Sequence, residues 1–411
     1  MKTIRTFLLA LSAMLMLWMP QGHAEDIDIY SGNAADSGVP NVLFVVDNGA
    51  NFEASGGSTP CVAYASGGAP SLGSSNGGIQ QCALVNAIEA LPAGSVNIGI
   101  LVGNANNFGD DVHDPADVSF HEKCGGVSAG GFGGCVIRKL ALMNASNKAS
   151  LVNHIKSWVT SGGHVSTSDT FNVKAGGNKT ANMMQEAWAY YNGKIGMSTT
   201  NYSGSILGSG CQKNFIIFIA NAAGSSSTPA DTPGGADVSS GVGGAMAAAQ
   251  VGATAAQKVK ISNAATFTQS TCGVTSLAAG TASSDWSQNW ADEWARLMKE
   301  QDGSGDLQQS QNITTYGIGI IGSNCKPDYP ALLTSMAKFG GGKYFSASGA
   351  SELTDALNQV LNEIQAVNSV FASASLPISA NAQGALDNQI FKNRVVAQDE
   401  FGFDFANIKR Q

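Results

Sequence analysis

The sequence predicts a doubly wound α/β fold with a mostly parallel sheet, and two observations carry that prediction. Four runs are continuously apolar, as is typical of strands buried on both faces: 41–47, 96–102, 214–220 and 313–321. Stretches with helical spacing alternate with these runs: 80–91, 151–160, 182–191, 286–299, 329–339 and 352–367. Strands that alternate with helices in this way form a parallel sheet with helices on both faces.

Two insertions interrupt the alternation. Residues 49–78 are rich in Gly and Ser, and residues 224–284 are rich in Gly, Ala and Ser, with an Ala-rich helix predicted near 245–258. Such small side chains bury too little apolar surface to form a second core. We therefore expect one domain over 25–371, with both insertions as loops on its rim, followed by a tail over 372–411.

The N-terminus has the three parts of a secretory signal peptide. Lys2 and Arg5 supply the positive charge, residues 7–18 are apolar, and small residues precede a predicted cleavage site after Ala24. The apolar run is shorter than the roughly 20 residues that span a bilayer. We expect an exported protein with residues 1–24 removed and no transmembrane anchor afterwards.

Composition and charge exclude some classes of partner. Only 13% of the residues are charged, against about 25% in average proteins, and 50 of the 411 residues are Gly. The net charge is −8, and no block of Lys and Arg is present. Nucleic acid and anionic lipid are therefore not expected as partners.

Seven cysteines lie in the exported part, where disulfides are favoured over metal thiolates. Ten residues separate Cys124 from Cys135 and six of them are Gly, so we predict that this pair closes. The next pairs that we predict, on weaker grounds, are Cys61–Cys82 and Cys272–Cys325. Cys211 would remain unpaired.

Three segments carry a resemblance to known families. The run NVLFVVDN over 41–48 resembles the first strand and metal loop of von Willebrand factor A domains. The runs LLTSMAKFGGGKYF over 332–345 and ELTDALNQVLNEIQAVNSVF over 352–371 are similar to PilY-type proteins, which are tip adhesins and biogenesis factors of type IV pili. This second resemblance covers roughly 40–391, is strongest over 330–391 and is weaker in the insertions.

The resemblance to A domains implies a degenerate cation site. That family holds a divalent cation at the carboxyl ends of its strands with a first loop of the form Asp-x-Ser-x-Ser. Here the first loop reads DNGAN from Asp47 to Asn51, the second loop offers Asn178 with Thr180 two residues away, and Asn221 stands where the third loop usually has Asp. No cofactor is expected, and a weak Mg²⁺ or Ca²⁺ site is the alternative. The same residues also suit helix caps and a strand end at which Asp47 accepts backbone N–H bonds.

A secreted hydrolase is the rival hypothesis from another class. The stretch 126–130 matches G-x-S-x-G around Ser128, but the motif needs a strand before it and a helix after it. The acidic stretch 109–117 contains His113, yet no nucleophile, base and acid can be assembled from the spacing. The sequence therefore predicts a protein that is not an enzyme.

The resemblance to PilY-type proteins implies an exported binding or assembly module of type IV pili, active in pilus biogenesis and tip adhesion. Its partners would be minor pilins or the pilus tip, or a host or surface ligand. Its place would be the periplasm, pilus tip or cell surface of a Gram-negative bacterium. The family's C-terminal β-propeller has no counterpart after Phe391, so we expect a truncated member or a stand-alone A domain. A non-functional remnant of a longer pilus protein is the alternative.

Overall fold

The computed structural model describes residues 38–49, 52, 75–103, 133–159, 171–173, 180–202, 207, 212–221, 290–301, 311–321 and 328–374. The strands in these ranges are β1 (Asn41–Val46), β2 (Asn97–Gly103), β3 (Gly134–Leu142), β4 (Trp158–Val159), β5 (Phe171–Asn172), β6 (Asn214–Asn221), β7 (Ile313–Ile320) and β8 (Gly341–Ala347). The helices are α1 (Asn76–Ala90), α2 (Ala145–Lys156), α3 (Thr180–Asn192), α4 (Ala291–Glu300), α5 (Asp328–Phe339) and α6 (Ala350–Ala374).

Six strands form the main sheet in the order β3-β2-β1-β6-β7-β8. The pairs β1/β2, β1/β6, β6/β7 and β7/β8 are parallel, and only β3 at one edge is antiparallel to its neighbour β2. Counted along the main sheet, this is the doubly wound order 3-2-1-4-5-6, whose direction reverses between β1 and β6. The predicted fold class is confirmed. A separate two-stranded sheet pairs β4 with β5.

Alternate residues of each central strand face opposite layers of helices, because the side-chain period of a strand is two. In β1, Val42, Phe44 and Val46 belong to the core shared with α1, α2 and α6. Leu43 and Val45 belong to the core shared with α3, α4 and α5. All six residues of β1 are buried, which explains why its sequence is continuously apolar.

The predicted strands are confirmed within one residue at each end, but some predicted boundaries of helices and insertions are wrong. The helix expected over 80–91 begins at Asn76, where the Ser75 hydroxyl accepts the Gly78 N–H at 3.1 Å. The first insertion therefore ends before residue 78. The helix expected over 151–160 begins after its Asn144 cap and ends at Lys156, since the next residues form β4.

The structure adds two edge strands that the sequence analysis missed, β3 and β8. Both lack a continuous apolar run: the second half of β3 is partly exposed, and Ala347 is the single buried residue of β8. An edge strand faces solvent along one side, so the two-faced burial that reveals a central strand is weakened.

An amide ladder crosses the amino ends of the central strands. Asn41 is the register partner of both Asn97 and Asn214. Asn97 Nδ2 donates to Asn41 Oδ1 at 2.9 Å, and Asn41 Nδ2 donates to Asn214 Oδ1 at 2.9 Å. Gln212 Nε2 also donates to Asn41 Oδ1, at 3.2 Å. A slip of either neighbouring strand would break this row, so the ladder fixes the register of three strands.

The described residues up to Ser369 belong to one compact unit, Asp36–Ser369. The second unit comprises Met1–Ala35 and Val370–Gln411, of which only the last turn of α6 is described. The described helices include none with the length and hydropathy needed to span a membrane. The predicted signal peptide, the Ala-rich helix near 245–258 and most of the tail lie outside the described residues.

Candidate functional site

The carboxyl edge of the main sheet is the candidate site because the long connections leave from it. Segment 50–74 follows β1, 104–132 follows β2, 222–289 follows β6 and 322–327 follows β7, apart from Phe52 all outside the described residues. At the opposite edge the connections range from Gly340 alone between α5 and β8 to segment 193–213 between α3 and β6, which is shorter than the three longest segments of the carboxyl edge. Open α/β sheets bind ligands at the carboxyl edge, where the strand order reverses.

Asp47 follows β1 at this edge, and its side chain is fully buried. The Gly49 N–H donates to its Oδ1 at 3.0 Å, and the Tyr329 hydroxyl donates to its Oδ2 at 2.8 Å. Thr180 Oγ1 lies 3.2 Å from the Tyr329 hydroxyl oxygen. A phenol has one hydrogen, which Tyr329 donates to Asp47, so the Thr180 hydroxyl is the donor in the second bond. Tyr329 thus joins the end of β1 to the starts of α3 and α5.

Asn48, the next residue, connects three segments at the same edge. Its Oδ1 accepts the Gly103 N–H at 2.8 Å, and its Nδ2 donates to the Gly103 carbonyl at 3.1 Å. The Nδ2 also donates to the Val173 carbonyl at 2.5 Å. A Cβ on Gly103 would lie 2.8 Å from the Asn48 oxygen, so glycine is required for this close approach. The amide holds the ends of β1 and β2 against the segment that follows β5.

Glu186, in the middle of α3, forms a second buried polar cluster. Its Oε1 accepts the Ser198 hydroxyl at 2.5 Å and the Tyr202 hydroxyl at 2.6 Å, and its Oε2 accepts the Ser198 N–H at 2.9 Å. The Gly134 backbone at the start of β3 is a further partner. Burial raises the pKa of the Glu186 carboxyl, although each of these hydrogen bonds favours the charged form. The carboxyl group therefore connects α3, the start of β3 and the loop around Ser198.

Two of the five predicted cation ligands, Asp47 and Thr180, come together through Tyr329. Asn51 and Asn178 lie outside the described residues. Asn221 is the last residue of β6, the strand beside β1, but its side chain is outside the described part of the chain. No group of three or more His, Cys, Asp and Glu residues that could hold a metal ion occurs among the described residues.

Tyr329 and Glu186, the two residues that organise this edge, do not stand out in the sequence. Tyr329 is 282 residues from Asp47 along the chain, so no local pattern connects them. The position of Tyr329 in the sequence does give an indication. Tyr329 lies in the first turn of the helix that follows β7, and a helix that follows a parallel strand begins at the carboxyl edge of the sheet. Glu186 is a charged residue on a helix face that is otherwise buried, which is the pattern of a charge with an internal partner.

Two of the cysteines lie in the described residues. Cys82 in α1 and Cys135 in β3 are each disulfide-bonded and each buried in the core. Their predicted partners, Cys61 and Cys124, lie outside the described residues, as do Cys211, Cys272 and Cys325. Of these five, all except Cys211 belong to segments that leave from the carboxyl edge.

The residues that suggested a hydrolase lie outside the described part of the chain, both Ser128 and the stretch 109–117. Trp286, Trp290 and Trp294 recur every four residues, a tryptophan stripe on one face of a helix. Trp290 and Trp294 are buried in the core shared by α3, α4 and α5. The ring of Trp294 packs against Trp188 with centroids 5.7 Å apart. Trp286, the first member of the stripe, is outside the described residues.

No protein-family model matches this chain, and no curated protein matches it. Similar solved structures include a mutant of the PilB minor pilin from Streptococcus sanguinis, with 13% identity, a TM-score of 0.40 and coverage of 82% of this chain and 63% of that one. The SpaC pilus adhesin from Lactobacillus rhamnosus GG has 12% identity, a TM-score of 0.37 and coverage of 79% and 30%. A von Willebrand factor type A protein from Catenulispora acidiphila has 9% identity, a TM-score of 0.34 and coverage of 79% and 42%.

This chain thus spans less than two thirds of the length of each of these three structures. The neighbours include pilus proteins and a von Willebrand factor A-type protein. At these identities the likeness is one of fold, and it does not assign a function.

Proposed function

We propose that this chain is an exported, non-enzymatic binding or assembly module of type IV pili, related to PilY-type proteins. The sequence resemblance over 330–391 supplies the pilus context. The observation that carries the proposed mode of action is that the long connections leave from the carboxyl edge of the sheet.

The mode of action that we propose is non-covalent recognition by these connections. Segments 50–74 and 222–289 are rich in Gly, Ala and Ser, and binding residues are often found on connections that a rigid scaffold positions. The bonds of Asp47, Asn48 and Glu186 give them fixed points of departure. Disulfides at Cys82 and Cys135 support the same edge, which suits a protein exposed to mechanical load.

The proposed partners are minor pilins or the pilus tip during assembly, or a host or surface ligand during adhesion. The proposed location is the periplasm, the pilus tip or the outer surface of a Gram-negative cell. Both follow from the resemblance and from the predicted signal peptide over residues 1–24.

The experiment is a clean deletion in the source organism, complemented in turn by the whole chain and by a variant that lacks residues 224–284. We expect the deletion to reduce piliation, twitching or adhesion, and the whole chain to restore it. The variant should be exported at an equal level, checked by immunoblot, without restoring the phenotype. A deletion without phenotype contradicts the proposal and favours a non-functional remnant.

A panel of ester, peptide and glycoside substrates addresses the enzymatic alternative. We expect no turnover above that of Ser128→Ala. Turnover that this substitution abolishes would contradict the proposal and favour a secreted hydrolase.

A further inference from the structure

We infer that the Tyr329 hydroxyl takes the structural place of a divalent cation at the end of β1. It holds the end of β1 and the starts of α3 and α5 together without a metal ion. The inference concerns the chemistry of the site and holds whether or not the chain acts in pili. It rests on the bonds that join Asp47, Thr180 and Tyr329.

The first step is the need of Asp47 for a positive partner. Its carboxyl group is fully buried, and a buried carboxylate is strongly destabilising unless a cation or hydrogen-bond donors compensate it. The donors here include the Gly49 N–H at 3.0 Å and the Tyr329 hydroxyl at 2.8 Å, one on each carboxyl oxygen. The protein itself thus supplies the compensation that a cation would otherwise provide.

The second step is the position of the phenol oxygen. A cation held by both Asp47 and Thr180 would have to lie between their oxygen atoms. The Tyr329 oxygen contacts both of them, at 2.8 Å from Asp47 Oδ2 and 3.2 Å from Thr180 Oγ1. Its hydrogen points to the carboxylate, and this partial positive charge repels a metal ion.

The third step is that the remaining predicted residues are poor ligands for a divalent cation. Mg²⁺ requires nearly octahedral oxygen coordination at about 2.0–2.1 Å, and Ca²⁺ requires 6–8 oxygens. Asp47 is the single acidic residue among the five predicted ligands, and the hydroxyls of the usual first loop are absent. The residues present therefore do not fit a resident divalent cation.

The packing of Tyr329 in the core makes its hydroxyl a permanent substitute for a bound cation. Its side chain is 4% exposed and packs in the core on the α5 side of the sheet. It lies in the first turn of α5, so the hydroxyl is placed by a helix and not by a loop. The bond therefore ties α5 to β1 and α3, a role that a bound ion would fill only while it remained bound.

The test compares Tyr329→Phe with a matched control, Tyr344→Phe. The Tyr344 hydroxyl is also buried, but it has no hydrogen-bond partner among the described residues. Both changes remove one hydroxyl and keep the ring. Melting temperatures of the purified exported chain are measured in EDTA and in millimolar Mg²⁺, Mn²⁺ or Ca²⁺.

We expect the wild-type melting temperature to stay within about 1 °C in every buffer, since no cation adds stability by binding. Tyr329→Phe should melt about 2–4 °C lower, because it removes a hydrogen bond to a buried charge. Tyr344→Phe should change little. Thr180→Val, which removes the donor to Tyr329, should lower the melting temperature in the same direction as Tyr329→Phe.

Two results would overturn the inference. One is stabilisation of the wild type by a divalent cation that Asp47→Ala abolishes. The other is a melting temperature of Tyr329→Phe no lower than that of Tyr344→Phe. If Tyr329→Phe fails to fold, the cation titration of the wild type and the Thr180→Val variant still decide the matter.

Discussion

The buried carboxyl group of Glu186 connects separate parts of the chain. Its carboxyl group receives hydrogen bonds from Ser198, Tyr202 and the backbone at Gly134, which belong to two separate parts of the chain. A Cβ on Gly196 would come within 2.1–2.5 Å of the carboxyl atoms of Glu186. The loop around Ser198 is therefore shaped to enclose this group, and Glu186 determines where the loop lies.

We predict that Glu186→Gln lowers the free energy of unfolding by about 2–3 kcal/mol, because an amide nitrogen would face groups that are themselves donors. The control is Glu89→Gln, since Glu89 is half-exposed and forms an ion pair with Lys156 at 3.2 Å. It should change stability by less than about 0.5 kcal/mol. Urea denaturation measures both variants, and equal stabilities would contradict the role given to Glu186.

Asp292 gives the protein a dependence of stability on pH. Burial raises the pKa of Asp292 to about 7, the Ser335 hydroxyl at 2.7 Å opposes that shift, and the charge of Glu293 adds to it. Arg296 pairs with Glu293 at 2.9 Å. The folded state holds the Asp292 proton more tightly than the unfolded state, in which the pKa is about 4. The contribution of Asp292 to the free energy of unfolding is therefore fully present below pH 4, and it is lost as the pH rises from there through 7.

We predict that the wild type is less stable at pH 8 than at pH 5 by about 3 kcal/mol or less from Asp292. Asp292→Asn should reduce this difference, since an amide carries no titratable proton and keeps the oxygen that Ser335 contacts. The raised pKa of Glu186 acts in the same direction, so a residual slope should remain. Denaturant melts at both pH values measure this, and an unchanged slope in Asp292→Asn would refute the assignment.

At the scale of elements, the amide ladder sets the alignment of the central strands. A slip of one residue would move every side chain of a strand to the opposite face of the sheet. Hydrogen bonds between side chains add a further requirement, since they are made in one register only. Asn41 takes part in at least three of these bonds and is 2% exposed. Asn41 therefore contributes to the correct pairing of the strands as well as to the stability of the fold.

We predict that Asn41→Ala lowers the free energy of unfolding by about 2–3 kcal/mol. The substitution removes the donor to the buried Asn214 Oδ1 and the acceptor that Asn97 and Gln212 share. Asn153→Ala is the control, since Asn153 is exposed on α2 and Ala favours helix. The control should be neutral or slightly stabilising. A loss in Asn41→Ala no larger than in the control would show that the ladder adds nothing.

The elements also show how far the sequence could predict this molecule. The four central strands were predicted within one residue because burial on both faces leaves a continuous apolar run. β3 and β8 were missed because edge strands carry polar and glycine residues. At the candidate site, Asp47 and Thr180 were predicted from the resemblance of their loops to those of von Willebrand factor A domains. Tyr329 was not, because its partners are distant in the chain and only the fold brings them together.

At the scale of the whole molecule, the last helix passes from one compact unit into another. α6 extends to Ala374, whereas the unit that contains the sheet ends at Ser369. Its buried apolar residues include Leu357, Leu361 and Ile364, which pack in the core beneath α1 and α2. The contribution of α6 to this core is therefore established before residue 370.

We predict that limited proteolysis removes roughly residues 372–411 and leaves the sheet-containing unit folded. The contacts that α6 makes with the core through Leu357, Leu361 and Ile364 lie before residue 370, so cleavage after residue 371 leaves them in place. Mass spectrometry of the resistant fragment gives its end, and circular dichroism shows whether it remains folded. A tail that resists cleavage as long as the sheet does would contradict this prediction.

The unequal lengths of the connections have a consequence for divergence among related sequences. At the amino edge, Gly340 is the single residue between α5 and β8; a Cβ there would lie 2.6 Å from Thr315 Cβ, and the next residue, Gly341, has φ +74°. Neither an insertion nor a larger residue fits that turn. Segments 50–74, 104–132 and 222–289 at the carboxyl edge are much longer than this turn. Homologues should therefore keep the α5–β8 turn at constant length, whereas they should gain and lose residues in these three segments without refolding the sheet.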